Sequence, residues 1–81
     1  MPGLRRLYAP QRVAVRTDPR GAPTLVEGTT VEAVREEWLV EDRWWTPQPL
    51  RRHYFELATA DGRAITVFRG AGSQRWYRQR A

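Results

Sequence analysis

Residues 51–69 read RRHYFELATADGRAITVFR, and the fold turns on them. An Asp61-Gly62 pair stands between two extended runs, the mark of an antiparallel hairpin. A two-residue turn with positive φ at both positions would set the register, with Thr59 opposite Ala64, Leu57 opposite Thr66 and Phe55 opposite Phe68. Phe55, Leu57 and Phe68 then make the expected core face. The pairs Ala58–Ile65, Glu56–Val67 and Tyr54–Arg69 fall on the other.

Upstream, residues 29–45 support two patterns. Thr29 and Glu32 have capping-box spacing, and Val31, Val34 and Trp38 fall on one helical face. Against the helix, Val34, Trp38, Val40 and Trp44 lie on one strand parity, and Arg35, Glu37, Glu41 and Arg43 on the other. The alternation favours a long strand, bulged near Glu36, with Trp38, Val40 and Trp44 in the core and Trp45 pointing the other way. Thr46-Pro47-Gln48-Pro49 ends it, because proline cannot donate to a ladder.

The rest of the chain extends the meander. Gln11–Thr17 reads as a half-buried strand with Val13 and Val15 alternating against polar or small residues. The segment from Asp18 to Pro23 is a turn, and Thr24–Glu27 a short strand closed by Gly28. After the turn at Gly70–Ser73, Gln74–Arg80 makes the last strand, in which either Trp76 or Tyr77 faces inward. Residues 1–10 form an N-terminal arm, and 11–81 a single small β domain. The expected fold is all-β: four to six antiparallel strands curled into a small barrel or strongly twisted sheet, an SH3-like barrel being one form of it.

Composition sets the class. At 81 residues without cysteine, the domain depends on packing, with nine aromatic side chains as its main material. No secretory signal and no apolar run of membrane-spanning length is present, so the expectation is a cytoplasmic protein away from membranes. All 14 basic residues are arginine, whose planar fork suits phosphates and flat bases, although coding bias or heat resistance favours arginine too. Residues 1–20 carry net +4, 21–50 net −4 and 51–81 net +5, so two basic segments flank an acidic one.

Catalytic equipment is thin. Without cysteine or lysine there is no thiol nucleophile and no lysine base, and the one serine, Ser73, sits in a glycine-flanked turn. His53 has no carboxylate close in sequence to orient it. Glu36-Glu37 and Glu41-Asp42 are neighbours on a strand and point apart. No metal-ligand spacing and no phosphate-cradling glycine loop appears. A non-enzymatic protein without metal or cofactor is expected.

What remains is the interleaving of arginine with aromatic rings. Arg51, Arg52 and Tyr54, then Arg69, then Arg75, Trp76, Arg78 and Arg80 are the candidate nucleic-acid contacts, with arginines on phosphates and rings under bases. The same residue types also make protein interfaces, and Trp45 is the candidate docking residue in that case.

The order Trp38, Trp44-Trp45, RRHYF (51–55), Asp61-Gly62, TVFR (66–69) and RWYRQR (75–80) resembles a small uncharacterised domain family. That family occurs free-standing and at the C-terminus of ImuB-type proteins, which are Y-family DNA-polymerase-like factors of damage-induced mutagenesis. The resemblance spans roughly residues 11–80; its most specific pieces are the tryptophan pair and the terminal arginine-rich run. It implies a β-rich accessory module in DNA repair or translesion synthesis, with DNA ahead of RNA and a polymerase-like repair protein as a partner. It supplies no catalytic residues.

Overall fold

The computed structural model describes residues 10–42, 50–70 and 72–79. Seven strands follow one another: β1 (Gln11–Val13), β2 (Val15–Thr17), β3 (Pro23–Val26), β4 (Thr29–Asp42), β5 (Leu50–Thr59), β6 (Ala64–Gly70) and β7 (Trp76–Arg78). Every pairing is antiparallel, in the order β1-β7-β6-β5-β4-β3-β2. No helix occurs among the described residues. The two ends of that order are one run of chain broken at Ala14, so the sheet curls back on itself into a nearly closed barrel.

Glu27 fixes the break. Its backbone N–H donates to the Ala14 carbonyl at 2.8 Å, and its side-chain Oε1 accepts the Ala14 N–H at 3.1 Å. Glu27 at φ 48° and Gly28 at φ 80° form the tight turn between β3 and β4, with Val26 directly opposite Thr29. This is where the two-residue turn with both φ values positive occurs. The left-handed conformation of Glu27 is held by its two bonds to Ala14.

The Asp61-Gly62 turn differs from the sequence expectation. Thr59 N–H donates to the Arg63 carbonyl at 2.9 Å and Gly62 N–H to the Thr59 carbonyl at 3.0 Å, which makes Ala60-Asp61-Gly62 a three-residue loop. Only Gly62, at φ 86°, is left-handed there, as in a type I turn closed by a glycine bulge. Asp61 is held by its side chain, which accepts from the Thr59 hydroxyl and from Arg63 Nε at 2.9 Å. The added loop residue shifts the register by one. Phe55 lies opposite Val67, Leu57 opposite Ile65 and Tyr54 opposite Phe68. The inner face therefore carries Ile65 and Val67, and Phe68 crosses to the outer one.

A long strand over 29–42 is confirmed, with register shifts between Val31 and Ala33 and between Val34 and Glu36. Each shift leaves one extra residue and changes which face the following side chains occupy. Val31 and Val34 share the face of Thr59 and Leu57, whereas Trp38 and Val40 pair with Tyr54 and Arg52 on the outside. Trp38, expected in the core, is 37% exposed; Trp44 and Trp45 lie outside the described residues.

Val13, Val26, Phe55, Leu57, Ile65, Val67 and Trp76 form the core, with Val15 and Val31 packed against it. Leu57 and Val67 are fully buried. Trp76 reaches the core because Val13 and Arg69, its partners on either side, share its parity. That settles the choice between Trp76 and Tyr77: the tryptophan faces in, the tyrosine out.

Candidate nucleic-acid interface

One outer row crosses the sheet: Trp38 on β4, Tyr54 on β5, Phe68 on β6 and Tyr77 on β7, with Arg12 on β1 closing it. Each ring contacts the next. Trp38 and Tyr54 stack at 5.3 Å between centroids and 7° between planes. Tyr54 and Phe68 are 4.8 Å apart, and Phe68 and Tyr77 stack at 5.6 Å. The Arg52 guanidinium lies over the Phe68 ring at 4.8 Å and donates to the Tyr54 hydroxyl at 3.4 Å. Phe68 is thereby 3% exposed although it stands outside the core cluster. The accessible stacking surfaces are Trp38, the half-buried Tyr54 and Tyr77, and the guanidinium plane itself.

Charge is divided across this row. On one side Glu36 and Glu56 lie directly opposite each other; on the other, Arg52 lies opposite Val40 and Gly70. A polyanion laid on the rings is pushed from the glutamates and drawn toward Arg52 and Arg12.

The arginines and rings singled out in the sequence do not converge on one face. Tyr54 belongs to the outer row, and Arg52 lies beside it on the same face. Arg51, Arg69 and Arg78 share the inner parity: exposed Arg51 meets Glu41 at 3.8 Å, and half-buried Arg78 lies between Val67 and Gln11. Arg69 covers Trp76 at 5.3 Å. Arg75 is exposed in the connection before β7. Trp76 is 4% exposed and packs against Phe55, so it offers no face to a base. Its proposed stacking role is withdrawn on that ground, and Tyr77 takes the outward place. Arg80 and Trp45 lie outside the described residues.

Sequence alone does not reveal Trp38, Phe68 and Tyr77 as members of an outer row. The signal that would have found them is the cross-strand register, which a three-residue loop and two bulges displaced. His53 does gain a carboxylate, across strands rather than along the chain: Glu37 Oε2 is 2.8 Å from its Nε2. The pair is accessible, and His53 stacks on Phe55 at 4.3 Å. Ser73 is occupied elsewhere, its Oγ accepting the Arg75 N–H at 3.1 Å. Among the described residues no group of three His, Cys, Asp or Glu side chains can hold a metal ion, and no helix is long and apolar enough to cross a membrane.

No family model matches the chain, and no curated protein or solved structure matches it either.

Proposed function

We propose that this protein is a non-catalytic binding module that holds single-stranded nucleic acid on the outer face of β4–β7. Bases stack on Trp38, Tyr54 and Tyr77, and the phosphates follow Arg52 and Arg12. The observation that carries the proposal is the four-ring row, continuous across four strands on the side of the sheet away from the core. Cross-strand aromatic pairs stabilise any sheet, but stability alone does not require a tryptophan left 37% exposed at the end of the row. The preference for DNA and the setting in repair rest on the resemblance carried by Trp38, Trp44-Trp45, RRHYF (51–55), Asp61-Gly62, TVFR (66–69) and RWYRQR (75–80).

The alternative is an adaptor that docks a polymerase-like repair protein, with Trp45 as its first candidate contact. Leu39, 57% exposed, and Val34, 39% exposed, favour it, since both are apolar positions on the same strand. Salt separates the two. Binding of a labelled single strand, followed by fluorescence anisotropy, should weaken steeply as salt rises from about 50 mM. Trp38→Ala and Tyr54→Ala should each cost about 1–3 kcal/mol of affinity. Absence of binding at about 50 mM salt, or equal binding by wild type and both variants, would overturn the nucleic-acid proposal.

A further inference from the structure

We infer that the depression between the β1–β2 break and residues 73–75 is a binding site for a phosphate monoester, with Arg69 as its anchor and Arg75 at its rim. Two adjoining grooves, of about 450 and 350 Å³, share Val15, Gln74 and Trp76 as walls. Arg12 and Arg75 line the larger, and Arg69 and Thr17 the smaller. Both volumes fall in the range of roughly 300–1,000 Å³ usual for small-ligand sites.

Arg69 is held in place before any ligand arrives. Its guanidinium lies over the Trp76 ring at 5.3 Å, and Trp76 is itself fixed in the core. On the other side the 18–22 turn comes close: a Cβ at Gly21 would lie 3.2 Å from Arg69 Nη2, and Gly21 has φ 89°. The positive φ favours glycine there, and any larger side chain would also press on the guanidinium. Stacking uses the flat face of the guanidinium and leaves its N–H edge for an acceptor, the geometry that matches phosphate oxygens in pairs.

Among the described residues, the ion pairs involve Arg51, His53 and Arg63, and none reaches Arg12, Arg69 or Arg75. Asp18, in the turn that carries Gly21, has its Oδ1 engaged by the N–H groups of Arg20 at 2.8 Å and Ala22 at 3.0 Å. A stacked guanidinium with its N–H edge free, and a second arginine on the adjoining wall of a partly apolar groove, suit a dianion attached to an organic body, which describes a phosphate monoester. Its source is a free nucleotide or the terminal phosphate of a strand, and the chemistry is shared.

The inference does not rest on the outer row, and the test keeps the two apart. Calorimetric titration is run with adenosine monophosphate, adenosine, inorganic phosphate, and a short single strand with and without a 5′-phosphate. Adenosine monophosphate should bind wild type and adenosine should not. Arg69→Ala should weaken the monophosphate roughly tenfold or more, with Arg69→Lys in between. Arg75→Ala, on an exposed connection, should weaken it without disturbing the fold, and thermal unfolding of each variant checks that. A 5′-phosphate that strengthens strand binding only when Arg69 is present assigns the strand end as ligand. Monophosphate binding without any binding of the unphosphorylated strand leaves the groove standing and removes the outer row. If none of adenosine monophosphate, inorganic phosphate and the 5′-phosphorylated strand shows binding that depends on Arg69 or Arg75, the inference is overturned.

Discussion

Gly62 and Asp61 show how much one turn decides. At φ 86°, with open space where a Cβ would go, Gly62 resists substitution through backbone strain alone. Gly62→Ala should therefore cost about 1–2 kcal/mol, measured by the denaturant midpoint at unchanged m-value. Asp61 has its pKa lowered below the ordinary 3.8, chiefly by the Thr59 hydroxyl; burial opposes the shift and Arg63 adds to it. A carboxylate with a lowered folded pKa contributes stability that is present at neutral pH and lost as pH falls from about 4 through the folded value. Asp61→Asn should flatten the stability profile in that acid window and leave the shape of the curve above it unchanged, as followed by unfolding at stepped pH. An Asp-Gly pair was legible as a turn. Its side-chain bonds to Thr59 and Arg63, which keep Asp61 out of the left-handed region, were not.

Strands β4 and β5 carry the consequence of that register. The two bulges in β4 place Glu36 directly opposite Glu56 on the outer face, one row from Trp38 and Tyr54. Like charges facing each other across strands are destabilising. Glu56→Gln should raise stability by roughly 0.2–1 kcal/mol. On the proposed function it should also raise single-strand affinity by roughly twofold at low salt, since a repelling charge beside the rings is gone. A gain in stability with no gain in affinity would separate the packing of the row from any role in binding. The two-residue alternation of β4 was visible in sequence, and so was a defect near Glu36. Its effect on Trp38 was not, because a bulge reverses inside and outside for everything beyond it.

At the scale of the whole molecule, closure depends on a run of seven residues, Gln11–Thr17, serving two neighbours. Its first half pairs with β7 and its second with β3, and Glu27 clamps the joint at Ala14. The small core leaves little reserve, as expected for a domain of this size without disulfides. Leu57, at 0% exposure near the C-terminal end of β5, is its most sensitive position. Leu57→Ala should cost about 2–5 kcal/mol, enough to unfold a large fraction of the protein at moderate temperature; circular dichroism during heating reads it directly.

The all-β class, the hairpin and most strand positions were determined by the sequence alone, because period-two alternation and turn residues act locally and leave a local trace; the break at Ala14, which makes seven strands of an expected four to six, was not. Val13, Phe55 and Leu57 could be placed in the core for the same reason. Which face each aromatic residue occupies was decided only by tertiary structure. Phe68, Trp38, Trp76 and Tyr77 took their sides from one extra loop residue, two bulges and the pairing of β7 between β1 and β6. A strand's two faces differ by a single position in register, and nothing within the strand records that position. The arginines followed the rings: Arg52 onto the outer row, and Arg69 onto Trp76 beside a glycine 48 positions earlier in the chain.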